Sequence, residues 1–284
     1  MGKHNFLPAL ALAGGAAGFG LRFWQQKSAF DPEAKLFRSG ALATVVLIAA
    51  LVVLAVVIFV LVQGARRPAD YIHAFYCPSA GYMTLMTAGS FLLLGAAGLG
   101  VLEVKEQLTL WRMGYGVSMP LMLAVTVVLC FPAALAGLML GKGNYRGYLP
   151  VAHPLLATLP VYVVLPWIVA LYQEESRQPE TMLYVFGLLA VICTVLGLYW
   201  AAAMAFGSVC VKGCLFFSLM GIVLLLTSLA DRPSRFNAVM SLACVLLLTA
   251  QSVALSCNAF GPAWLTAPVM PGIAGKRLQR AEEE

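Results

Sequence analysis

The sequence predicts an all-α protein, a polytopic transmembrane helix bundle of about eight spans, or seven if the first segment does not cross. The chain is 61% hydrophobic and 11% charged, with a mean hydropathy of +0.89. A soluble domain carries about 25% charged residues. Backbone groups in lipid must pair internally, which leaves a helix bundle or a closed barrel. Uninterrupted apolar runs, rather than short alternating segments, favour the bundle.

The strongest span covers residues 41–62, which contain one non-apolar residue, Thr44. As a helix this run rises about 33 Å, which matches a hydrocarbon core of about 30 Å. The other apolar runs are separated by loops that contain charged residues, proline or glycine. Within a single transmembrane domain over 1–284, we expect a C-terminal tail at 258–284 and spans near 5–22, 41–62, 80–102, 117–140, 150–172, 182–205, 210–230 and 236–257.

Two of these spans carry helix-breaking residues. The first is short and holds Gly14, Gly15, Gly18 and Gly20, so a re-entrant or interfacial segment is an alternative to a crossing. If the chain is divided into two halves of four helices, this span and the proline-containing fifth span are each the first of a half. Broken helices at matching positions are typical of transporter binding sites.

The fifth span contains Pro160 and Pro166 at mid-depth. A proline inside a helix removes one backbone hydrogen bond and clashes with the carbonyl four residues earlier. We therefore expect this helix to bend or open at both positions. One interpretation is a discontinuous helix whose free carbonyls line a ligand site, and the other is a kinked helix that only packs.

Span eight carries a stripe of hydroxyl side chains that includes Ser252 and Ser256, together with Ser241 and Thr249. Such a stripe either joins helices by hydrogen bonds or lines a polar cavity. With the two mid-depth prolines, the cavity interpretation gives a candidate ligand-binding set of Pro160, Pro166, Ser252 and Ser256.

A polar cluster lies between spans two and three. Asp70, His73 and Cys77 are spaced i, i+3 and i+7, which on one helix places them within an arc of about 60°. Eight spans put His153 on the same side of the membrane. These four residues form a candidate metal site, or a thiolate paired with an imidazole, although no Cys-x-x-Cys or His-Glu-x-x-His motif is present. The alternative is that they are interfacial residues without chemistry.

The central parts of all eight spans lack Asp, Glu, Lys, Arg and His. This argues against a carrier built on a buried carboxylate and against a voltage sensor. The sequence indicates no cofactor, no catalytic residue and no Lys/Arg stripe of the kind that nucleic acid needs, so an enzyme is the less favoured class. Lys and Arg number nine on each side of the membrane, which leaves the orientation open.

The expected partner is the lipid bilayer. Small residues four apart, at Gly14 and Gly18 and at Gly137 and Gly141, permit close helix contact, which is compatible with a homo-oligomer or a partner membrane subunit. The run LYQEESRQPETMLYVFGLLAVICTVLGLYWAAAMAFG, together with span two, resembles multi-pass membrane proteins of unknown role from gut clostridia. This resemblance implies a bacterial cytoplasmic membrane and no particular activity.

Three functions are compatible with these features. The first is a transport-type or ligand-binding bundle for a neutral or lipophilic solute, because broken helices form a site while buried charges are absent. The second is a membrane-surface enzyme or metal site that uses Asp70, His73, Cys77 and His153. The third is a non-catalytic partner subunit, for which none of these residues matters.

Overall fold

A computed structural model describes residues 3–31, 36–37, 40–68, 70–115, 119–175 and 181–261. Within these residues the protein is a helix bundle, as the sequence predicted. The nine helices are α1 Lys3–Ala29, α2 Leu42–Val62, α3 Tyr71–Phe75, α4 Ala80–Arg112, α5 Leu121–Arg146, α6 His153–Glu175, α7 Thr181–Ala205, α8 Val211–Ser228 and α9 Arg235–Phe260. Eight of them, all except α3, are long and apolar enough to cross a membrane, so the protein is a multi-pass integral membrane protein.

Two short elements accompany the helices. Strands β1 (Phe30–Asp31) and β2 (Leu36–Phe37) pair antiparallel after α1, and the Phe30 and Phe37 rings meet edge to face at 5.5 Å. A 3-10 turn, Leu229–Asp231, ends α8. The apolar pattern did not predict the hairpin, because strands of two residues carry no periodic signal.

Six helices form a closed ring. Each of α4, α5, α6, α7, α8 and α9 packs against the next, and α9 packs against α4 to complete the circuit. Helix α1 packs on the outside of α8 and α9, and α2 packs on α1 and α8. Most of the surface of α2 is therefore left to lipid, which explains why this span is apolar on every side.

The ring is filled at its centre. Side chains from α4, α6, α7 and α9 leave an apolar crevice of only about 10 Å³ there. It is lined by Leu93, Pro160, Val163, Val164, Leu198, Met240, Cys244, Leu247 and Leu248. The middle of the bundle is thus a closed apolar constriction between two open ends.

Helix α6 corrects one expectation, because it runs without interruption from His153 to Glu175 through Pro160 and Pro166. Each proline lacks one N–H donor, but the bonds of the flanking residues keep the backbone helical. The helix does not open at either proline.

Helix α1 corrects the suggestion of a re-entrant first segment, since it is one helix that continues seven residues beyond the expected end at residue 22. Three of its glycines, Gly14, Gly15 and Gly18, lie in close contacts within the chain. A β-carbon on Gly18 would overlap the Thr227 hydroxyl of α8, and one on Gly15 would lie 2.6 Å from Leu226. The second small-residue pair is used in the same way, because Gly137 of α5 lies against Ser90 of α4.

Candidate functional site

The predicted polar cluster lies at one end of the bundle, on the short helix α3. Asp70 is the N-cap of this helix, and its Oδ1 accepts the backbone N–H of His73 at 2.9 Å. The same oxygen lies 2.6 Å from His73 Nδ1. Asp70 therefore fixes the position of the His73 ring, so the pairing of these two predicted residues is present.

The predicted arc does not extend to Cys77. Helix α3 ends at Phe75, so Cys77 follows the helix and leaves the face that carries Asp70 and His73. Its side chain is buried, and its backbone N–H donates to the Asn144 carbonyl at 3.2 Å. Burial raises the pKa of the Cys77 thiol, which opposes its use as a thiolate.

His153 joins the cluster from the start of α6. Its ring lies 5.7 Å from that of Tyr71, and its Nδ1 is 3.2 Å from the Pro150 carbonyl. A cavity of about 200 Å³ separates α3 from the ends of α6 and α7, and it is lined by Asp70, Tyr71, Ile72, Leu149, His153, Met204, Ala205 and Gly207. We call it the histidine cavity.

The histidine cavity brings Asp70 and His153 together, but the described residues hold no group of three His, Cys, Asp or Glu side chains that could bind a metal ion. The Tyr71 phenol lines the cavity beside His153. Desolvation by burial raises the pKa of Tyr71 to about 12, and the nearby Asn144 amide offsets this only in part. The phenol is therefore neutral at physiological pH and can both donate and accept a hydrogen bond there.

The four residues predicted to bind a ligand are not collected in one place. Pro160 lines the central crevice, whereas Pro166 does not. The Ser252 and Ser256 hydroxyls are buried and find no hydrogen-bond partner among the described residues. Both lie on α9, and neither lines the crevice.

A larger cleft lies at the opposite end of the ring, and sequence reasoning missed it. It measures about 520 Å³ and opens between the end of α4, the end of α6 and the start of α9. Its walls are Leu99, Leu102, Glu103, Glu106, Gln107, Leu110, Glu174, Ser234 and Arg235. We call it the acidic cleft, because three glutamates face one arginine across it.

The acidic cleft is connected to the core by a chain of hydrogen bonds. Asn237 Nδ2 donates to Glu174 Oε2 at 3.1 Å, and the Trp167 indole N–H donates to Asn237 Oδ1 at 2.9 Å. Trp167 is almost completely buried in α6. The Asn237 side chain thus links Glu174 to Trp167, which is the residue after Pro166 in the sequence.

The acidic cleft could not be predicted from the sequence for two reasons. Helix α4 continues to Arg112, ten residues beyond the expected end of its span, so Glu103 and Glu106 extend from a helix rather than a loop. Glu174 and Arg235 come from distant parts of the chain. The detectable signal was the i, i+3 spacing of Glu103 and Glu106 on a face that also carries Leu99 and Leu102.

A buried charge is the second feature that sequence reasoning missed. Arg22, at the end of the first expected span, lies inside α1 and is fully buried. Its Nε bonds Asp231 Oδ1 at 2.7 Å, and its guanidinium packs against the Phe186 and Phe37 rings at 4.6 and 5.5 Å. The pair fixes α1 to the turn between α8 and α9.

Comparison with protein-family models, with curated proteins and with solved structures found no match for this chain. The two ends of the ring and the constriction between them are therefore the features from which we infer a function.

Proposed function

We propose that this integral membrane protein is a transport-type bundle that binds a lipophilic organic cation in the acidic cleft. The observation that carries this proposal is the composition of the cleft, whose lining combines three leucines with three glutamates. Its volume of about 520 Å³ lies within the range of small-molecule sites, about 300–1,000 Å³.

The apolar and the acidic lining residues suit two parts of one molecule. Leu102 and Leu110 are exposed and would face the apolar part of the ligand, while Glu103, Glu106 and Glu174 would attract its charge. The lining holds three glutamates and one arginine, Arg235, so its formal charge is −2. A lipophilic solute agrees with the expectation from the sequence, but a cation is favoured over a neutral one.

The ring supports a transport-type role rather than simple binding. The acidic cleft and the histidine cavity lie at opposite ends, and the apolar crevice between them is closed. Apolar constrictions are a known means of gating. The chain of hydrogen bonds from Glu174 to Trp167 offers a route by which ligand binding would act on α6 beside that constriction.

The test uses tetraphenylphosphonium as the probe, with the purified protein in detergent for binding and in proteoliposomes for flux. We expect the Glu103→Gln, Glu174→Gln double variant to bind it about tenfold more weakly, because each partly exposed charge contributes about 1 kcal/mol or less. Asp70→Asn, which removes one carboxylate at the other end, is the control and should bind normally.

Two results would overturn this proposal. One is equal binding of tetraphenylphosphonium by the wild type and by the double glutamine variant. The other is equal binding of a neutral tetraphenyl analogue, which would return the argument to a neutral solute.

A second candidate function is chemistry at the membrane surface beside the histidine cavity, and the 2.6 Å contact between Asp70, which lines the cavity, and His73 favours it. A carboxylate that holds Nδ1 of an imidazole leaves Nε2 available as a base. His73→Ala and His153→Ala should then remove an activity or a bound species from protein that remains folded. Unchanged native mass spectra and unchanged activity in both variants would remove this candidate.

A further inference from the structure

Hydrogen bonds join the loops and helix ends at the α3 end of the bundle into one surface. The Arg66 N–H donates to the Ala259 carbonyl at 3.1 Å, and Asn258 Nδ2 donates to the Ala74 and Tyr76 carbonyls at 2.9 Å each. The Lys212 ammonium reaches Gln63 Oε1 at 3.3 Å. We call this surface the α3 cap, which comprises residues 63–68, 70–79, 142–153 and 205–212.

The α3 cap is strongly basic. Its described residues include one acidic side chain, Asp70, and five exposed basic ones, Arg66, Arg67, Lys142, Arg146 and Lys212. Asp70 is engaged with His73, so little negative charge opposes the five cations.

The opposite end differs in its charge balance. The described side chains of segments 22–31, 40–44, 103–115, 119–120, 172–175 and 229–235 include six basic ones (Arg22, Lys27, Lys105, Arg112, Arg232, Arg235) and four acidic ones (Glu103, Glu106, Glu174, Asp231). One of the six cations, Arg22, is buried against Asp231 and unavailable to any partner. The two ends of the bundle therefore present different potentials to the two leaflets.

We propose that the α3 cap is a binding surface for anionic phospholipid head groups. Exposed cations beside a bilayer attract anionic lipid, and their contributions accumulate within a Debye length. The cap has the required position, since Arg66 and Arg67 follow the end of α2 directly and Lys142 and Arg146 lie in the last turns of α5. The inference does not depend on a ligand in the acidic cleft.

The experiment measures lipid retention by native mass spectrometry of the full-length protein, with phosphatidylglycerol and phosphatidylcholine of identical acyl chains. We expect the wild type to retain phosphatidylglycerol preferentially, and the Arg66→Gln, Arg67→Gln variant to lose about fivefold in that preference for each charge removed. The matched control is Lys105→Gln, Arg112→Gln, which removes two exposed cations from the other end and should keep the preference.

Free glycerol phosphate, added at the same concentration, distinguishes a lipid from a soluble phosphate. We expect it not to compete, because the bilayer rather than a closed pocket holds the head group near the cap. The proposal fails if the wild type retains both lipids equally, if the control variant loses as much preference as the cap variant, or if glycerol phosphate displaces the lipid.

Each variant is also tested for thermal unfolding in detergent without added lipid. Cap and control variants should unfold at the wild-type temperature, since all four substituted side chains are exposed. A cap variant that retains less phosphatidylglycerol while it unfolds normally has lost a binding surface rather than its fold.

Discussion

Arg22 and Asp231 form an ion pair in the interior, although 209 residues separate them in the sequence. Gln26 donates to the same Asp231 oxygen at 2.6 Å, and Gln25 accepts from Arg22 Nη1 at 2.6 Å. The pair joins the outer helix α1 to the turn between α8 and α9. That turn also leads to Ser234 and Arg235, so one short segment connects the buried ion pair to the acidic cleft.

Removal of one partner of the Arg22–Asp231 pair should lower the stability of the fold. We expect Arg22→Met to lower the free energy of unfolding by about 3 kcal/mol or more, because it leaves the Asp231 carboxylate buried without its cation. The double variant Arg22→Met, Asp231→Leu should recover most of that loss. Denaturant titration in mild detergent measures both. Arg232→Met, at the exposed neighbouring position, should change little; a loss equal to that of Arg22→Met would contradict the role of the pair.

Tyr71 should make the protein sensitive to alkali. The phenol has an ordinary pKa of 10.0 when unfolded and about 12 when folded, so stability is complete below pH 10. Between pH 10 and pH 12 only the unfolded chain releases the proton, and stability falls by about 1.4 kcal/mol per pH unit. Melting temperatures measured across this range should fall less steeply in Tyr71→Phe than in the wild type. Tyr115→Phe, at an exposed position, should behave as wild type.

The cysteines should differ sharply in reactivity. Cys210 is the one thiol of the seven that is not buried, and Cys77 has a raised pKa at a buried site. A maleimide reagent at neutral pH should therefore label the folded protein once, within minutes, and Cys210→Ser should abolish that label. Rapid labelling of Cys77, located by peptide mass spectrometry, would show that α3 does not cover it.

Two glycines on α1 should respond in opposite ways to the same substitution. Gly18→Ala places a methyl group against the Thr227 hydroxyl and should cost about 1–3 kcal/mol by overpacking the contact between α1 and α8. Gly20→Ala meets nothing within 4 Å and should be neutral or slightly stabilising. The free energy of unfolding tests both variants. Similar losses at the two positions would mean that helix propensity, rather than close contact, explains the glycines.

Substitutions of the two prolines of α6 should differ in their effect on flux. Pro160→Ala alters a side chain that lines the central crevice, so we expect it to change the flux of tetraphenylphosphonium in proteoliposomes while binding in detergent stays constant. Pro166 does not line the crevice, and Pro166→Ala should leave flux near the wild-type level. Equal changes in flux would argue that backbone bending, not the crevice, controls passage.

The sequence predicted the bundle because the length of an apolar run shows directly whether a helix can cross the bilayer, as residues 41–62 illustrate. It could not predict which side chains meet. Arg22 stood at the edge of an apolar run, and only its distant partner Asp231 makes burial of the charge tolerable. The acidic cleft was missed because three helices supply it, and the arc of Asp70, His73 and Cys77 was wrong because α3 ends too early.

Helix α4 contains 33 residues and is about 50 Å long, whereas the 21 residues of α2 span about 32 Å. A hydrocarbon core of about 30 Å takes up about 20 residues of helix, so counted from Ala80 we infer that Leu99 and Leu102 lie near its boundary and that Glu103, Glu106 and Gln107 lie past it. The acidic cleft thus lies at head-group depth, where amphipathic cations accumulate by partitioning. A ligand would arrive by two-dimensional diffusion within one leaflet, and its occupancy would follow its membrane partition coefficient rather than its concentration in water.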